Sequence, residues 1–564
     1  MTPKLPITAW FAIALATTVA LIYCRAWLYR AFRRSRFLVR FISSYVLIRR
    51  RRWFNTSLTV LQILLCLAYL VVNGLCILLY SKWNSKWNFP EIARRCGIMA
   101  SINMVPLFTA GRPSIVVTLL GLPLHVHHLL HYWMGLVSIS LGILHLVFVY
   151  FSGAIEGHPT TSGALTIAGL GCILGLSLTP LRLWKYEIFL KSHHFLGVLS
   201  VGGLLWHVII AKGLDFWPLS LPLTSIFFWA VGLILFLHNL RIRSQEVEIS
   251  KFHRVRDIGS FSCREADVVR IEIKLRSPET VRPGQFVYLR FRDFYFSDKI
   301  QTHPFMISWW ESALDSPKAQ SLTLLVQPVN GLTRRLSSKT FLQDVSFDGP
   351  LGLNLHLESY DNVFLAVKGI GIAGVLSYAK HLIELETYIK GPRITPRKVD
   401  LYWELEDNSQ EEWAGPLLRK LQIKNDALKV RLLQLWCYFP SNQTREPFVE
   451  LYYPNGVPRE DFQYFYPDSK CFYKIEDAIK EVAKFSSGRS IVVACGVSKF
   501  VDQVRKKTRN AMSPAGILDF VETEYRPRSE PPKQLAKWPH RPTISGPIPT
   551  TEKDMSKSKR VTFI

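Results

Sequence analysis

HYWMGLVSISLGILH, residues 131 to 145, and HHFLGVLSVGGLLWH, residues 193 to 207, are two apolar runs that begin and end in histidine. They restrict the fold of this 564-residue chain more than any other stretch. Apolar segments of about 20 residues cross a bilayer as helices. An ionisable residue inside such a helix usually faces the bundle interior and carries function. Fourteen residues at about 100° each turn through about 1400°, roughly 40° short of four turns. The two histidines of each run therefore share a helix face, about 21 Å apart along the axis. One such pair alone is equally explained by two polar side chains, each reaching its own interface. The second pair repeats the arrangement on a span two crossings later, which runs in the same direction. His131 then lies level with His193, and His145 with His207. Neutral imidazole is a standard iron ligand. Each facing pair suits one haem held from both sides, which leaves no open position and so favours electron transfer over dioxygen binding. His194 is thirteen residues from His207, about 140° off the shared face of a straight helix, so His193 is preferred as ligand. His125, His127 and His128 have no partner at this spacing and read as edge residues.

Seven spans can be drawn, at about 8–28, 57–80, 97–120, 130–151, 161–181, 193–212 and 219–240. The third is interrupted by Pro106 and Arg112. The segment from Ile7 to Tyr29 is long for a signal-peptide core and reads as a retained first span. Ten arginines lie between Arg25 and Arg52 with no acidic residue among them. Next to apolar spans they mark a cytosolic loop, which puts the N-terminus outside and everything after 240 in the cytosol. The net charge of +26 is accounted for by basic loops and a basic tail, so no nucleic-acid partner is expected. The nine cysteines form no C-x-x-C pair, which argues against a zinc module, an iron–sulfur site or a disulfide scaffold.

Beyond residue 240 the pattern changes to that of a soluble protein. From about 250 to 356, segments such as ADVVRIEIKL and GQFVYLRFRDF alternate apolar and polar residues between turns, predicting a small antiparallel barrel. From about 361, NVFLAV reads as a buried strand, followed by a glycine cluster and the helical pattern VLSYAKHLIEL. DLYWELE and SIVVAC are later strands, giving the rhythm of a parallel α/β domain. After Arg526 the chain is rich in Pro, Lys, Ser and Thr and is expected to be disordered. The expected divisions are N-terminal spans with a basic loop (1–92), a haem-binding transmembrane domain (93–240), a β-barrel domain (241–356), an α/β nucleotide domain (357–526) and a tail (527–564).

Four stretches of this half carry candidate chemistry: THPFMIS, NGLTRRL, DGPLG and VKGIGIAG. The last is a G-x-G-x-x-G between strand and helix, where glycines permit a tight turn and let a pyrophosphate approach backbone N–H groups. GLTRRL offers a glycine turn, a hydroxyl and two arginines, an anion cradle or equally a basic surface loop.

Over residues 93 to 525 these motifs, in this order, resemble the ferric reductase and NADPH oxidase superfamily, with most likeness to yeast metalloreductase-like members. The resemblance implies a polytopic helical membrane domain of about seven spans, followed by a cytosolic ferredoxin-reductase-like module: an antiparallel β-barrel FAD domain and an α/β NADPH domain. His131, His145, His193 and His207 fall at the positions that bind two b-type haems. AGRPSIVVTLLGL, with Arg112, resembles the arginine-containing segment before the first haem helix. HPFMIS (His303, Pro304, Phe305, Met306, Ile307, Ser308) resembles the flavin motif, and PGQFVYL the strand before it. GLTRRL, with Gly331 and Thr333, is similar to the contact near the FAD pyrophosphate. DGPLG resembles the turn into the nucleotide domain. Gly369, Gly371 and Gly374 fall in the nicotinamide-nucleotide loop, and Cys495 and Gly496 in the motif beside the nicotinamide. Tyr525 is similar to the terminal aromatic that covers the flavin.

The chain departs from the pattern at Met306, Lys368, Ala373, Val497 and Leu136. Lys368 adds a positive charge that favours the extra phosphate of NADPH. The resemblance implies transfer of electrons from cytosolic NADPH through FAD and two haems to ferric or cupric ions. Dioxygen is the alternative acceptor, giving a superoxide-generating oxidase, and a non-enzymatic haem-fold scaffold or channel is a further alternative. Plasma membrane and endoplasmic reticulum fit equally.

Overall fold

The structure is a computed structural model. It describes residues 46–48, 58–78, 88–108, 124–153, 159–178, 181–182, 186–242, 244–252, 268–291, 303–313, 316–328, 333, 336, 341–352, 354–388, 396–428, 430–441, 461–466, 474–484, 488–513 and 517–523. The expected first span, Arg112, Gly331, Tyr525 and the basic tail lie outside the described residues.

A short antiparallel pair, β1 (Val46–Ile48) and β2 (Leu58–Thr59), is followed among the described residues by six helices before the next strand. These are α1 (Val60–Leu78), α2 (Phe89–Phe108), α3 (Leu124–Phe151), α4 (Pro159–Leu176), α5 (Tyr186–Lys212) and α6 (Phe216–Ile242). Helix α3 packs on α2, and α5 on α4. Many large apolar side chains stay exposed on these helices, Leu65, Val71, Phe195 and Ile234 among them, as lipid-facing surfaces require.

The expectation of seven spans is corrected here. Among the described residues, four helices are long and apolar enough to cross a bilayer: Val60–Leu78, Val126–Phe151, Ile188–Lys212 and Trp217–Ile234. Helix α2 starts earlier than the expected third span and so takes in Glu91, Arg94 and Arg95, and these charges remove it from the apolar set. Glu91 bonds both arginines, at 2.7 Å each. The apolar part of α4, Thr161–Leu176, is shorter than a full span.

Seven strands follow: β3 (Ser244–Phe252), β4 (Val268–Glu279), β5 (Phe286–Phe291), β6 (His303–Met306), β7 (Trp309–Ala313), β8 (Ser316–Val326) and β9 (Phe341–Leu351). They form one antiparallel sheet in the order β6-β5-β9-β3-β4-β8-β7. Strand β4 shows the cause: Val269, Ile271 and Ile273 point into the core, while Arg270, Glu272 and Lys274 alternate outward. The sheet curls until its ends meet. The Ile307 N–H donates to the Gln285 carbonyl, next to β5, and the Ser308 N–H to the Thr323 carbonyl of β8, both at 3.0 Å. The segment after β6 therefore stitches the barrel shut.

The last part of the chain adds β10 (Asn362–Lys368), α7 (Leu376–Tyr388), β11 (Lys398–Glu404), α8 (Glu411–Asp426), β12 (Leu433–Tyr438), β13 (Phe462–Phe465), α9 (Ile475–Lys484), β14 (Arg489–Cys495), α10 (Ser498–Ala511) and β15 (Ile517–Glu522). The six strands are all parallel, ordered β13-β12-β11-β10-β14-β15. Continuous burial of Val363 to Val367 and of Ile491 to Cys495 is what a parallel sheet covered on both faces demands.

Candidate functional site

The histidines come together as their spacing predicts. The ring centres of His131 and His193 are 5.9 Å apart, and those of His145 and His207 are 6.2 Å apart. Two imidazoles bonded to opposite sides of one metal ion at about 2 Å each place their ring centres about 6 Å apart. Both pairs thus fit a single iron between them. The ring chemistry fits as well. His145 Nδ1 lies 2.7 Å from the Ala93 carbonyl oxygen. A carbonyl only accepts, so Nδ1 carries the proton and Nε2 keeps its lone pair for a metal. His207 Nδ1 lies 3.4 Å from Ser162 Oγ. The Nδ1 atoms of His131 and His193 are buried without a hydrogen-bond partner among the described residues. His194 is exposed, whereas His193 is half-buried. Among the described residues no three or more His, Cys, Asp or Glu side chains cluster as a metal site. The donor set is two opposed imidazoles, which suits a haem iron whose other positions the porphyrin fills.

In the barrel, His303 to Met306 form strand β6, paired with β5 so that Phe286 lies opposite Met306 and Leu289 opposite His303. Phe305, Met306, Ile307 and Ser308 are buried, His303 and Pro304 half-buried. The Ser308 hydroxyl is buried with no partner among the described residues. Thr333 is half-buried.

In the parallel sheet, the sequence turns back on itself between β10 and β14, which are adjacent strands leading to opposite sides of the sheet. Ligands of open α/β sheets bind outside the carboxyl ends of the strands at such a switch point. Gly369 to Gly374 form a 3-10 turn there, and Cys495 and Gly496 end the neighbouring strand. The two motifs touch through backbone: a Cβ on Gly371 would lie 2.5 Å from the Cys495 carbonyl oxygen. Gly369 has a φ of 54°, a left-handed value that favours glycine, and its carbonyl accepts from Trp403 Nε1 at 3.0 Å. The Cys495 side chain is fully buried in the core, so its peptide, not its thiol, lines the turn.

Two further features were not legible as motifs. Lys368 does not stand as a free cation: its ammonium bonds the Glu404 carboxylate, the residue opposite it in the β10–β11 register. Lys380 of α7 is fully buried, its ammonium 4.3 Å from the Trp310 ring centre and 5.5 Å from that of Trp309. Glu384, one turn on, bonds it at 2.5 Å and also bonds Lys424. These contacts join β7, immediately after the HPFMIS segment, to the helix that follows the glycine turn. The only local signal was the WW pair, because the lysine that meets it lies some seventy residues away.

Burial pushes the Lys380 ammonium down to about 8, against the pull of Glu384. The unfolded chain therefore binds more protons than the folded one between about pH 8 and 10.4, and stability should rise with pH across that window by on the order of 2–3 kcal/mol. Lys380→Met should flatten the rise and be near neutral in stability at pH 7, because Glu384 retains Lys424. Thermal melts followed by tryptophan fluorescence across pH 7 to 10.5 measure both effects. A wild-type profile unchanged in the variant would contradict this assignment.

The chain thus sets two opposed histidine pairs in a helical domain ahead of a barrel and a parallel sheet with a glycine turn at its switch point. The family model described as "Ferric reductase like transmembrane component" matches residues 96–204, and that described as "FAD-binding domain" matches residues 255–392. Both of its halves are thus similar to parts of the ferric reductase family. It is 26% identical over 362 residues to the probable cell surface ferric reductase kap2 of Aspergillus oryzae, covering 58% of this chain and 45% of that protein. It is 24% identical over 471 residues to ferric reductase transmembrane component 3 of Saccharomyces cerevisiae, covering 77% of this chain and 61% of that protein. The chain thus spans about half to three fifths of the length of these relatives. Among solved structures, phthalate dioxygenase reductase aligns at 15% identity over 49% of this chain and 67% of its own, with a TM-score of 0.31.

Proposed function

We propose that the chain passes electrons from cytosolic NADPH across a membrane to ferric or cupric ions. The observation that carries this reading is the pair of facing imidazoles at each of two depths, 5.9 and 6.2 Å between ring centres. His131 and His193 would hold the haem nearer the flavin module, and His145 and His207 the haem nearer the acceptor. When bound, FAD would supply conversion of a hydride into single electrons, and haem held between two histidines would supply one-electron transfer. The chain's own contribution is placement. The closed barrel edge at His303 to Ser308 offers a buried surface and a hydroxyl without a partner among the described residues for the flavin, with Gly331, Thr333 and Tyr525 as its further expected contacts. The peptides of Gly369 to Gly374 and of Cys495–Gly496 would shape a glycine-rich turn for the nucleotide pyrophosphate and nicotinamide. Lys380 and its tryptophans hold the helix after that turn against the strand after the flavin segment. The arginine-rich segment between Arg25 and Arg52 supports a cytosolic position for the reductase module. Plasma membrane and endoplasmic reticulum both accord with that orientation. Named relatives that reduce ferric or ferric and cupric ions favour metal over dioxygen as acceptor.

The choice of NADPH over NADH follows from the resemblance alone, since Lys368 is neutralised by Glu404. Lys368→Ala is expected to change the ratio of flavin reduction rates with the two nucleotides by about twofold or less, as for a partly exposed ion pair. A large loss confined to NADPH would restore Lys368 to the phosphate site.

The full chain in nanodiscs tests the function. A b-type haem spectrum that NADPH reduces in the presence of FAD, followed by reoxidation with ferric chelate, is the expected result. Superoxide formation without ferric reduction would replace metal by dioxygen. Haem that NADPH never reduces would favour a non-enzymatic scaffold.

A further inference from the structure

The outer histidine pair is seated differently from the inner one. Gly97 of α2 lies under the His145 ring: a Cβ there would be 3.1 Å from Nδ1 and 3.3 Å from Cε1. Gly163 of α4 lies under the His207 ring, where a Cβ would be 3.2 Å from Nδ1 and 3.3 Å from Cε1. The two helices that back α3 and α5 thus each present one bare peptide to one imidazole face. Beside each glycine sits a partner for Nδ1: the Ala93 carbonyl, one turn before Gly97, at 2.7 Å, and the Ser162 hydroxyl, next to Gly163, at 3.4 Å, which accepts when His207 Nε2 is the ligand. Among the described residues the inner pair has neither device. The Nδ1 atoms of His131 and His193 have no partner among the described residues. A Cβ on Gly197, one turn beyond His193, would meet nothing within 4 Å.

We propose that Gly97 and Gly163, with the Ala93 carbonyl and Ser162, are positioning residues that set the ring orientation and Nε2 basicity of His145 and His207, and so tune the outer haem separately from the inner one. The physical grounds are steric and electronic. A methyl at 3.1–3.2 Å from the ring must push the imidazole, because helix packing fixes the backbone beneath it. An acceptor at Nδ1–H fixes the tautomer and makes the ligand a stronger donor. The inference rests on the haem reading of the four histidines.

The test is an equilibrium redox titration of the full chain, with the low-spin ferric EPR signals recorded alongside. His145→Leu identifies the outer component as the one it removes. Gly97→Ala and Gly163→Ala should then shift the EPR signal and midpoint of that component, or lower haem content from two toward one, while the inner component stays put. Ser162→Ala removes an acceptor without adding bulk, so it should keep both haems and move the outer midpoint to a more positive value. Gly197→Ala should leave both components unchanged. Should the glycine variants fail to fold, Ser162→Ala alone decides. An unmoved outer component in Ser162→Ala, or a shift confined to the inner component, overturns the proposal. Absence of haem from the wild-type chain would instead overturn the proposed function on which it rests.

Discussion

His193→Leu should remove one of two haems and stop electron transfer across the membrane, whereas His194→Leu should keep both haems and most activity. The two residues are neighbours of the same type on α5, so composition and hydropathy cannot separate them. Geometry does. The His193 ring faces His131 with centres 5.9 Å apart, while His194 lies on the exposed side of the helix. On the proposed function, removing one of two opposed imidazoles would loosen the hold on one haem and interrupt the electron path that it would serve. Rates falling a thousandfold or more would be in keeping with a broken electron path, since single supporting misplacements of about 1 Å already cost on the order of 100-fold. The pyridine haemochrome ratio of haem to protein and the rate of haem reduction after adding NADPH measure the two effects. Two haems per chain in His193→Leu would refute the ligand assignment, and loss of haem in His194→Leu would transfer the role to its neighbour.

Gly371→Ala should nearly abolish reduction of the flavin by nucleotide while leaving FAD content close to that of the wild type. A Cβ on Gly371 would lie 2.5 Å from the Cys495 carbonyl oxygen and 3.0 Å from Gly496 Cα. Both are backbone atoms at the end of β14, which runs parallel to β10 in continuous register from Asn362 to Val367. No rotamer change relieves the overlap, so either the turn lifts or the ends of the two strands separate. Overpacking of this kind costs about 1–3 kcal/mol in stability. A displacement of about 1 Å between hydride donor and flavin costs on the order of 100-fold in rate. The barrel that carries the flavin segment is closed by its own hydrogen bonds at Ile307 and Ser308, which is why flavin retention should survive. Stopped-flow reduction under anaerobic conditions reads the rate, and released-flavin fluorescence reads the content. Wild-type reduction kinetics in Gly371→Ala would remove the glycine turn from the nucleotide site.

The histidine frame, the barrel strands and the strand–turn–helix at Gly369 were all legible in the sequence. Each is a local periodicity: about 100° per residue puts residues fourteen apart on one helix face, and alternation puts Val269, Ile271 and Ile273 on one side of β4. Hydropathy was a poorer guide to the number of spans. Helix α2 begins where Glu91, Arg94 and Arg95 bond one another, and a window average weighs such charges without knowing that they are paired. Resemblance named the residues of the nucleotide motif, yet not how they act. Cys495 lines the turn through its peptide because its side chain belongs to the core.

The remaining features come from contacts between segments far apart in the chain. Lys368 looked like a phosphate-binding cation until the parallel register of β10 and β11 set Glu404 beside it. Lys380 carries no signal of its own in the sequence and gains its surroundings only because α7 docks on Trp309 and Trp310. Gly97 and Gly163 are unremarkable small residues in their own helices and acquire a role only from the ring that lies across each. Local propensity and spacing are written along one segment, and so the order of residues suffices to specify the helices, the strands and the face each histidine occupies. Which charge is neutralised, which lysine is desolvated and which glycine bears an imidazole depend on a second segment whose position is set by packing of the whole chain.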